Sequence, residues 1–432
     1  MWIYLAAVAL VLGILVFVHE FGHYAVAKLC GVRVEVFSLG FGKRLWGFRR
    51  GDTDYRISLL PLGGYVKMAG ENPMEARTGD PGEFTSHPRW QRFLIAIAGP
   101  VMNVILAIVV FTGVYVFHHE YPAISKLPVN VFFIEPNSPA EKAGIRPGDR
   151  IIRIDDIQNP TWNQAITEFA LSPNQPVKLT VLRAGQTIDM QVTPKMTDPD
   201  RGGEIGLVFP EVVGALEPGY PSIKAGIRPN DILLAVNGSP VRDTEDVLNK
   251  LQEANGAPVE LSIWRDGKDL KFTVKPEFDP NIKKYRLGFG IMAVEKLPFG
   301  QAVHSAYEDC KTNSLLIFKL VGKMIEKKVS IKQMSGPIGI AKISGEAAKQ
   351  SFSDLMWVMA LISLNLAIFN LLPIPILDGG LMLLLVIEGI MRRDIKQEVK
   401  ERVYQAAFVF LLLFAAVVIY NDLAKTLPGH LM

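Results

Sequence analysis

His19-Glu20-Phe21-Gly22-His23 closes an N-terminal stretch in which residues 2–18 carry no charged side chain. Three ionisable groups then arrive within five residues. On a helix, positions i and i+4 share a face, so His19 and His23 can hold one metal ion between them. Glu20 follows the first histidine directly and can take the proton of an attacking water. The plainer reading is a pair of histidines packed in an apolar segment. A match of this kind arises by chance in a chain this long on the order of once in a hundred. Physics weighs against that reading. A charged side chain at bilayer depth costs roughly 2.5–3.5 kcal/mol, and one bound cation offsets the cost for all three groups.

At this spacing H-E-x-x-H supplies two zinc ligands and a base. Of 432 residues, 49% are apolar and 21% charged, too apolar for a wholly soluble chain and too charged for a wholly embedded one. A net charge of +3 gives no case for nucleic-acid binding. Four stretches are long enough to span a bilayer: 1–29, 93–117 with Gly99-Pro100 inside, 355–372 resuming after a break over 381–391, and 403–420. The first lacks the basic start of a signal peptide and holds the proposed site, so it reads as a retained span. Lys43, Arg44, Arg49, Arg50, Arg56, Lys67, Arg77, Arg89 and Arg92 load the loop between the first two spans. Arg392, Arg393, Lys396, Lys400 and Arg402 load the loop before the fourth. Basic loops stay cytoplasmic. The large region between spans two and three, and both termini, are then expected outside, with the histidines near the cytoplasmic end of span one. Cys30 and Cys310 fall on opposite sides and should not pair.

The loop over 34–68 reads as strands. Tyr55-Arg56-Ile57-Ser58-Leu59 alternates, while Leu39-Gly40-Phe41-Gly42 and Pro61-Leu62-Gly63-Gly64 are expected as turns. Gly64, Tyr65 and Val66 open a short strand. It is either an ordinary surface hairpin or an edge that holds a substrate extended by strand addition, because a helical substrate hides its scissile carbonyl.

Beyond the second span, Ser138-Pro139-Ala140-Glu141-Lys142-Ala143-Gly144-Ile145-Arg146-Pro147-Gly148-Asp149 recurs as Tyr220-Pro221-Ser222-Ile223-Lys224-Ala225-Gly226-Ile227-Arg228-Pro229-Asn230-Asp231, an offset of 82 residues. Each copy continues into an apolar strand, a helix and a glycine-turned hairpin, so a small domain is duplicated rather than a solenoid built. The unit resembles the PDZ domains of bacterial proteases, which bind extended peptides at a strand edge. Residues 299–325 then show helical apolar spacing, either packed on the duplicated pair or lying at the outer membrane surface. Ser335-Gly336-Pro337-Ile338-Gly339 is expected as a break before the third span.

The second informative stretch is Asn365-Leu366-Ala367-Ile368-Phe369-Asn370-Leu371-Leu372-Pro373-Ile374-Pro375-Ile376-Leu377-Asp378-Gly379-Gly380. Broken helices at membrane depth are tolerated where they line a site. Asp378 is the only carboxylate between Asp354 and Glu388. Alone it reads as a helix cap. Beside His19 and His23 it supplies the third ligand that a catalytic zinc, with water as the fourth, requires. Asn365 and Asn370 are amides able to hold a substrate backbone or an oxyanion, or else to pack between helices. Asn103 has the same two readings, with packing favoured.

HExxH in the first span, a GFG loop, AGPxxN in the second span, the tandem repeats and NxxPxPxLDGG together resemble the site-2 intramembrane metalloproteases, over nearly the whole chain in order. The resemblance implies His19, His23 and Asp378 as ligands of one zinc ion and Glu20 as base. It implies Asn365, Asn370, Pro373 and Pro375 as substrate-handling positions. It implies single-span substrates, such as an anti-sigma factor already trimmed outside and remnant signal peptides, with the PDZ pair as a size filter. The expected architecture is a multi-pass α-helical membrane protein of the bacterial inner membrane. It has four transmembrane segments, a cytoplasmic-side membrane-associated β-hairpin region and two extracytoplasmic PDZ domains of α+β type. The divisions are 1–29, 30–92, 93–117, PDZ domains at 122–205 and 206–280, an amphipathic helix and linker at 281–352, a broken span at 353–391, and the last span at 403–420. Besides substrates, membrane lipid is the expected partner.

Overall fold

The computed structural model describes residues 2–71, 79–198, 202–326 and 336–426. Met1, Arg77 and Ser335, used in the sequence reading, lie outside the described residues. In chain order the helices are α1 (Trp2–Leu29), α2 (Arg89–Phe117), α3 (Pro139–Lys142), α4 (Trp162–Ala170), α5 (Pro221–Lys224), α6 (Thr244–Glu253), α7 (Phe299–Ile325), α8 (Pro337–Gln350), α9 (Phe352–Asn370), α10 (Asp378–Met391) and α11 (Gln397–Thr426). The chain divides into two units. One comprises Met1–Phe117, Lys296–Lys319 and Met334–Met432, the other His118–Glu295 and Leu320–Gln333.

In the first unit, α1, α2, α9 and α11 are long and apolar enough to cross a membrane. Helix α10 has 14 residues, too few to cross. Helices α1 and α2 approach closely because each offers a glycine at the crossing. A Cβ on Gly22 would press on the Ala98 carbonyl, and one on Gly99 would strike the rings of His19 and His23. Pro100 sits inside α2 and deprives the Ala96 carbonyl of its i+4 donor. Helix α7 buries Ala302, Ala306 and Cys310, and its Ala306 and Cys310 pack with Ala107 and Phe111 of α2 and Ala360 and Leu364 of α9.

Two sequence expectations fail here. The segment before α9 is not a plain break. Pro337 takes the first helical position after Gly336, starting α8, as proline's fixed φ and missing N–H favour. Helix α8 buries Ser344, Gly345 and Ala347, and at Gly345 a Cβ would overlap the Tyr4 ring of α1. The glycine clusters in the loop are not turns either. Residues 39–42 lie inside β1 (Val34–Arg50) and 61–64 inside β2 (Thr53–Met68). Gly40, Gly42 and Gly63 take φ of 86°, 87° and 111° where the register shifts, so they bend long strands as bulges do. The hairpin turn is at Gly51-Asp52 instead.

This bending folds two strands into four rows. Residues 36–39 pair on one side with 54–57 and on the other with 64–67, while 46–50 pair with the far side of 53–57. The 64–67 row is therefore an outer edge, with no further strand on it among the described residues.

The second unit contains the duplicated sequence. Strand Arg150–Ile154 lies between Ile157–Gln158 and Val177–Arg183, with Gln186–Val192 beyond. Strand Ile232–Val236 repeats this with Val259–Arg265 and Lys268–Val274. Each sheet folds over one helix, α4 or α6, around its own apolar core. The first core extends to Ile205 and Leu207, and the second runs from Val213 to Leu287 and Phe289. Both therefore reach past the expected divisions at 205 and 280.

The recurring AGIRP…D motif is a clasp. Arg183 donates to Asp149 at 2.6 and 2.7 Å and to the Gly144 carbonyl at 2.7 Å. Arg265 does the same to Asp231 at 2.6 Å twice and to Gly226 at 2.8 Å. In each copy the aspartate also accepts from the backbone N–H of the motif arginine, Arg146 or Arg228.

Candidate active site

One turn of α1 carries His19, Glu20 and His23, and the first residue of α10 brings Asp378 to them. Leu377, not Asp378, is the N-cap of α10, and no side chain caps that end. The Asp378 carboxylate instead reaches His19 Nε2 at 3.2 Å and His23 Nε2 at 3.4 Å. The two histidine Nε2 atoms are 3.2 Å apart. Gly379 and Gly380 permit this placement. A Cβ on either would strike the carbonyls of Leu371 or Ile374, so only glycines let α10 start tight against the loop after α9. Within that loop Ile376 has φ 89°, a strained value for a β-branched residue.

These three residues form the one His, Cys and carboxylate cluster of metal-binding shape among the described residues. Their separations suit a small tetrahedral cation. Bonds of about 2.0 Å in a tetrahedron place donors about 3.3 Å apart, against 3.2 Å between the two Nε2 atoms and 3.2 and 3.4 Å from them to the two oxygens of Asp378. The space for the rings is the one that a Cβ on Gly99 would fill. His23 Nδ1 donates to the Ile95 carbonyl at 2.7 Å, which leaves its Nε2 as the electron-pair donor. Two imidazoles and one carboxylate are a donor set zinc accepts, with a fourth position open.

Glu20, on the same turn, lines the same cavity as the histidines and accepts the Val66 N–H at 2.9 Å. The edge row of β2 is thereby held directly against Glu20. Gly64 is needed for that approach, since a Cβ would press on the Ser38 carbonyl and reach Val16 of α1. Tyr65 stacks on Phe41, ring centroids 5.9 Å apart. A cavity of about 270 Å³ is lined by the histidines, Glu20, Val66, Ala96, Asn370 and Asp378, among others.

Of the candidate substrate positions, the fold brings Gly64, Tyr65, Val66 and Asn370 together. Asn370 Nδ2 lies 3.4 Å from His19 Nε2. Pro373 is exposed and Pro375 half-buried in the loop between α9 and α10. Asn365 is exposed. Five residues rotate a helix about 140° from Asn370, which turns Asn365 to another face of α9. Sequence reasoning missed Glu71, a second carboxylate lining the cavity. It accepts from Met68 N–H at 3.2 Å, and burial pushes its carboxyl above the usual range. Nothing in its local sequence marks it, because the cavity it lines is completed by residues distant in sequence such as Phe84 and Leu381. Asn103 is fully buried, with Nδ2 3.2 Å from His19 Nδ1.

The order of these elements agrees with known proteins. Residues 7–414 match peptidase family M50. The chain belongs to that family. As an M50 peptidase it is a metalloendopeptidase of the site-2 protease type. It is 33% identical to the regulator of sigma-E protease RseP of Escherichia coli K12, over 98% of each chain. It is 32% identical to protease RseP of Yersinia pestis, again over 98% of each. A Neisseria meningitidis protein whose name assigns it provisionally to the zinc metalloproteases is 31% identical, over 96% of this chain and 97% of the other.

Proposed function

We propose that this M50 peptidase hydrolyses peptide bonds within or near the membrane-spanning segments of single-span proteins, using one zinc ion held by His19, His23 and Asp378. The observation that carries the reading is the meeting of two imidazoles and one carboxylate from two distant helices, the Nε2 atoms 3.2 Å apart and each 3.2 or 3.4 Å from a different oxygen of Asp378, beside a second carboxylate, Glu20, hydrogen-bonded to an open strand edge. Zinc, when bound there, polarises the scissile carbonyl and makes a water acidic enough to attack near neutral pH. Glu20 takes the proton of that water and hands it to the leaving amine. The 64–67 edge pairs with the substrate backbone and holds it extended, exposing a carbonyl that a helix would hide. Asn370 presents an amide to the same space, where it can hold an unpaired backbone group or an oxyanion. Pro373 and Pro375 break the α9–α10 connection beside it, and Asn365, exposed on another face of α9, would meet a substrate outside that cavity.

The clustered basic residues support an orientation with the β loop cytoplasmic and the duplicated units outside an inner membrane. We read those units as PDZ-type domains that act as a size filter. Their apolar cavity of about 760 Å³, lined in part by Trp162, Phe169 and Leu207, suits a peptide segment. Anti-sigma factors already trimmed outside and remnant signal peptides are the proposed substrates; the name of the RseP relatives speaks only of a regulator of sigma-E.

The test is cleavage of a purified single-span substrate in detergent, with the cut mapped by mass spectrometry. Glu20→Gln is expected to keep its zinc and to lose cleavage by roughly a thousandfold. Equal cleavage by wild type and variant, or a cut confined to soluble loops, overturns the reading.

A further inference from the structure

Asn103 holds a position no mechanistic step has used. It is fully buried on α2, its amide faces His19 Nδ1 at 3.2 Å, and its Oδ1 has no hydrogen-bond partner. Its backbone carbonyl accepts Ser363 Oγ–H at 2.8 Å, which fixes this part of α2 against α9. Amide oxygen and nitrogen are told apart only by their hydrogen-bond partners.

His19 decides between them. If Asn103 donates N–H to Nδ1, that nitrogen is the acceptor and Nε2 carries the ring hydrogen. The Nε2 atom is the one 3.2 Å from both His23 Nε2 and Asp378, and a hydrogen there blocks it from any cation. Turning the amide over lets Oδ1 accept Nδ1–H and frees the Nε2 electron pair. His23 has already adopted that arrangement, with Nδ1–H on the Ile95 carbonyl, also on α2. A histidine ligand gains basicity and a fixed ring orientation from such a partner.

We propose that Asn103 is a positioning residue, whose side-chain carbonyl accepts the His19 Nδ1–H and holds the ring in the tautomer that can bind metal. The assignment rests on the reading of His19, His23 and Asp378 as the zinc site. Helix α2 then orients both histidines of α1, one through a main-chain carbonyl and one through an amide.

The experiment measures zinc affinity of the purified full chain by competition with a chromophoric chelator, alongside the melting midpoint of the metal-free protein. Asn103→Asp keeps an acceptor at the same size and is expected to bind zinc within about threefold of wild type. Asn103→Leu keeps the volume and removes the acceptor, and is expected to bind roughly 10- to 100-fold more weakly. Asn103→Ala carries the same expectation should the leucine variant fail to accumulate. Comparable metal-free midpoints for the Asp and Leu variants exclude a folding effect as the cause. Wild-type affinity in the leucine or alanine variant, or equal weakening in the aspartate and leucine variants, overturns the assignment. His19→Ala and Asp378→Ala serve as references. If they bind zinc as wild type does, the metal site itself is wrong, whereas their loss beside an unaffected Asn103→Leu rejects Asn103 alone.

Discussion

Asp231 and Asp378 are both carboxylates withdrawn from water, and the chain treats them differently. Asp231 is 1% exposed and is met by the Arg265 guanidinium in a two-pronged pair, with the Arg228 N–H also donating to its Oδ2. Its counter-charge comes from its own repeat, 34 residues away, and Asp149 copies the arrangement with Arg183. Asp378 meets only two imidazoles, and among the described residues no lysine or arginine pairs with it. A charge that the fold neutralises from within belongs to the scaffold. A charge left to two histidines is completed by something the chain does not supply.

The sharpest way to break this contrast is to remove each charge at constant size. Asp378→Asn should lower zinc affinity by roughly a hundredfold or more and abolish cleavage. Retained affinity would place the counter-charge elsewhere. Asp231→Asn should leave zinc affinity unchanged and lower the melting midpoint of its unit by roughly 5 °C or more. A loss of zinc in that variant would show that the two carboxylates are not independent.

Smaller effects sharpen the picture. Gly99→Ala puts a methyl group into the two histidine rings and should weaken zinc roughly tenfold, read by the same chelator competition. Val66→Pro removes the N–H that faces Glu20, and should cut substrate cleavage several-fold at unchanged zinc content. Unchanged cleavage would return the β2 edge to the role of an ordinary hairpin.

The candidate site was legible because a metal centre of this kind needs fixed spacings. His19 and His23 stand i, i+4 on a helix, and Asp378 is an isolated carboxylate in an apolar stretch bracketed by prolines and glycines. The clasp aspartates were legible as a repeat, though their arginine partners were not, since Arg183 and Arg265 lie outside the shared motif. Helix α8 escaped because it buries Ser344, Gly345 and Ala347, which carry no apolar period. The glycines of β1 and β2 misled because a glycine with positive φ marks a turn and a bulge equally well. Gly99 was legible only as part of a motif and Glu71 not at all, for a different reason. What makes each matter is a neighbour far away in sequence.

The hydrogen bond from Val66 to Glu20 makes one backbone N–H answer to two claimants. A strand that joins the 64–67 edge needs that donor for its own ladder, and Glu20 holds it while the edge is empty. Docking of an extended chain and release of the carboxylate are then a single exchange. Under the proposed function, the arriving chain takes over the Val66 N–H and leaves the Glu20 carboxylate free for a proton.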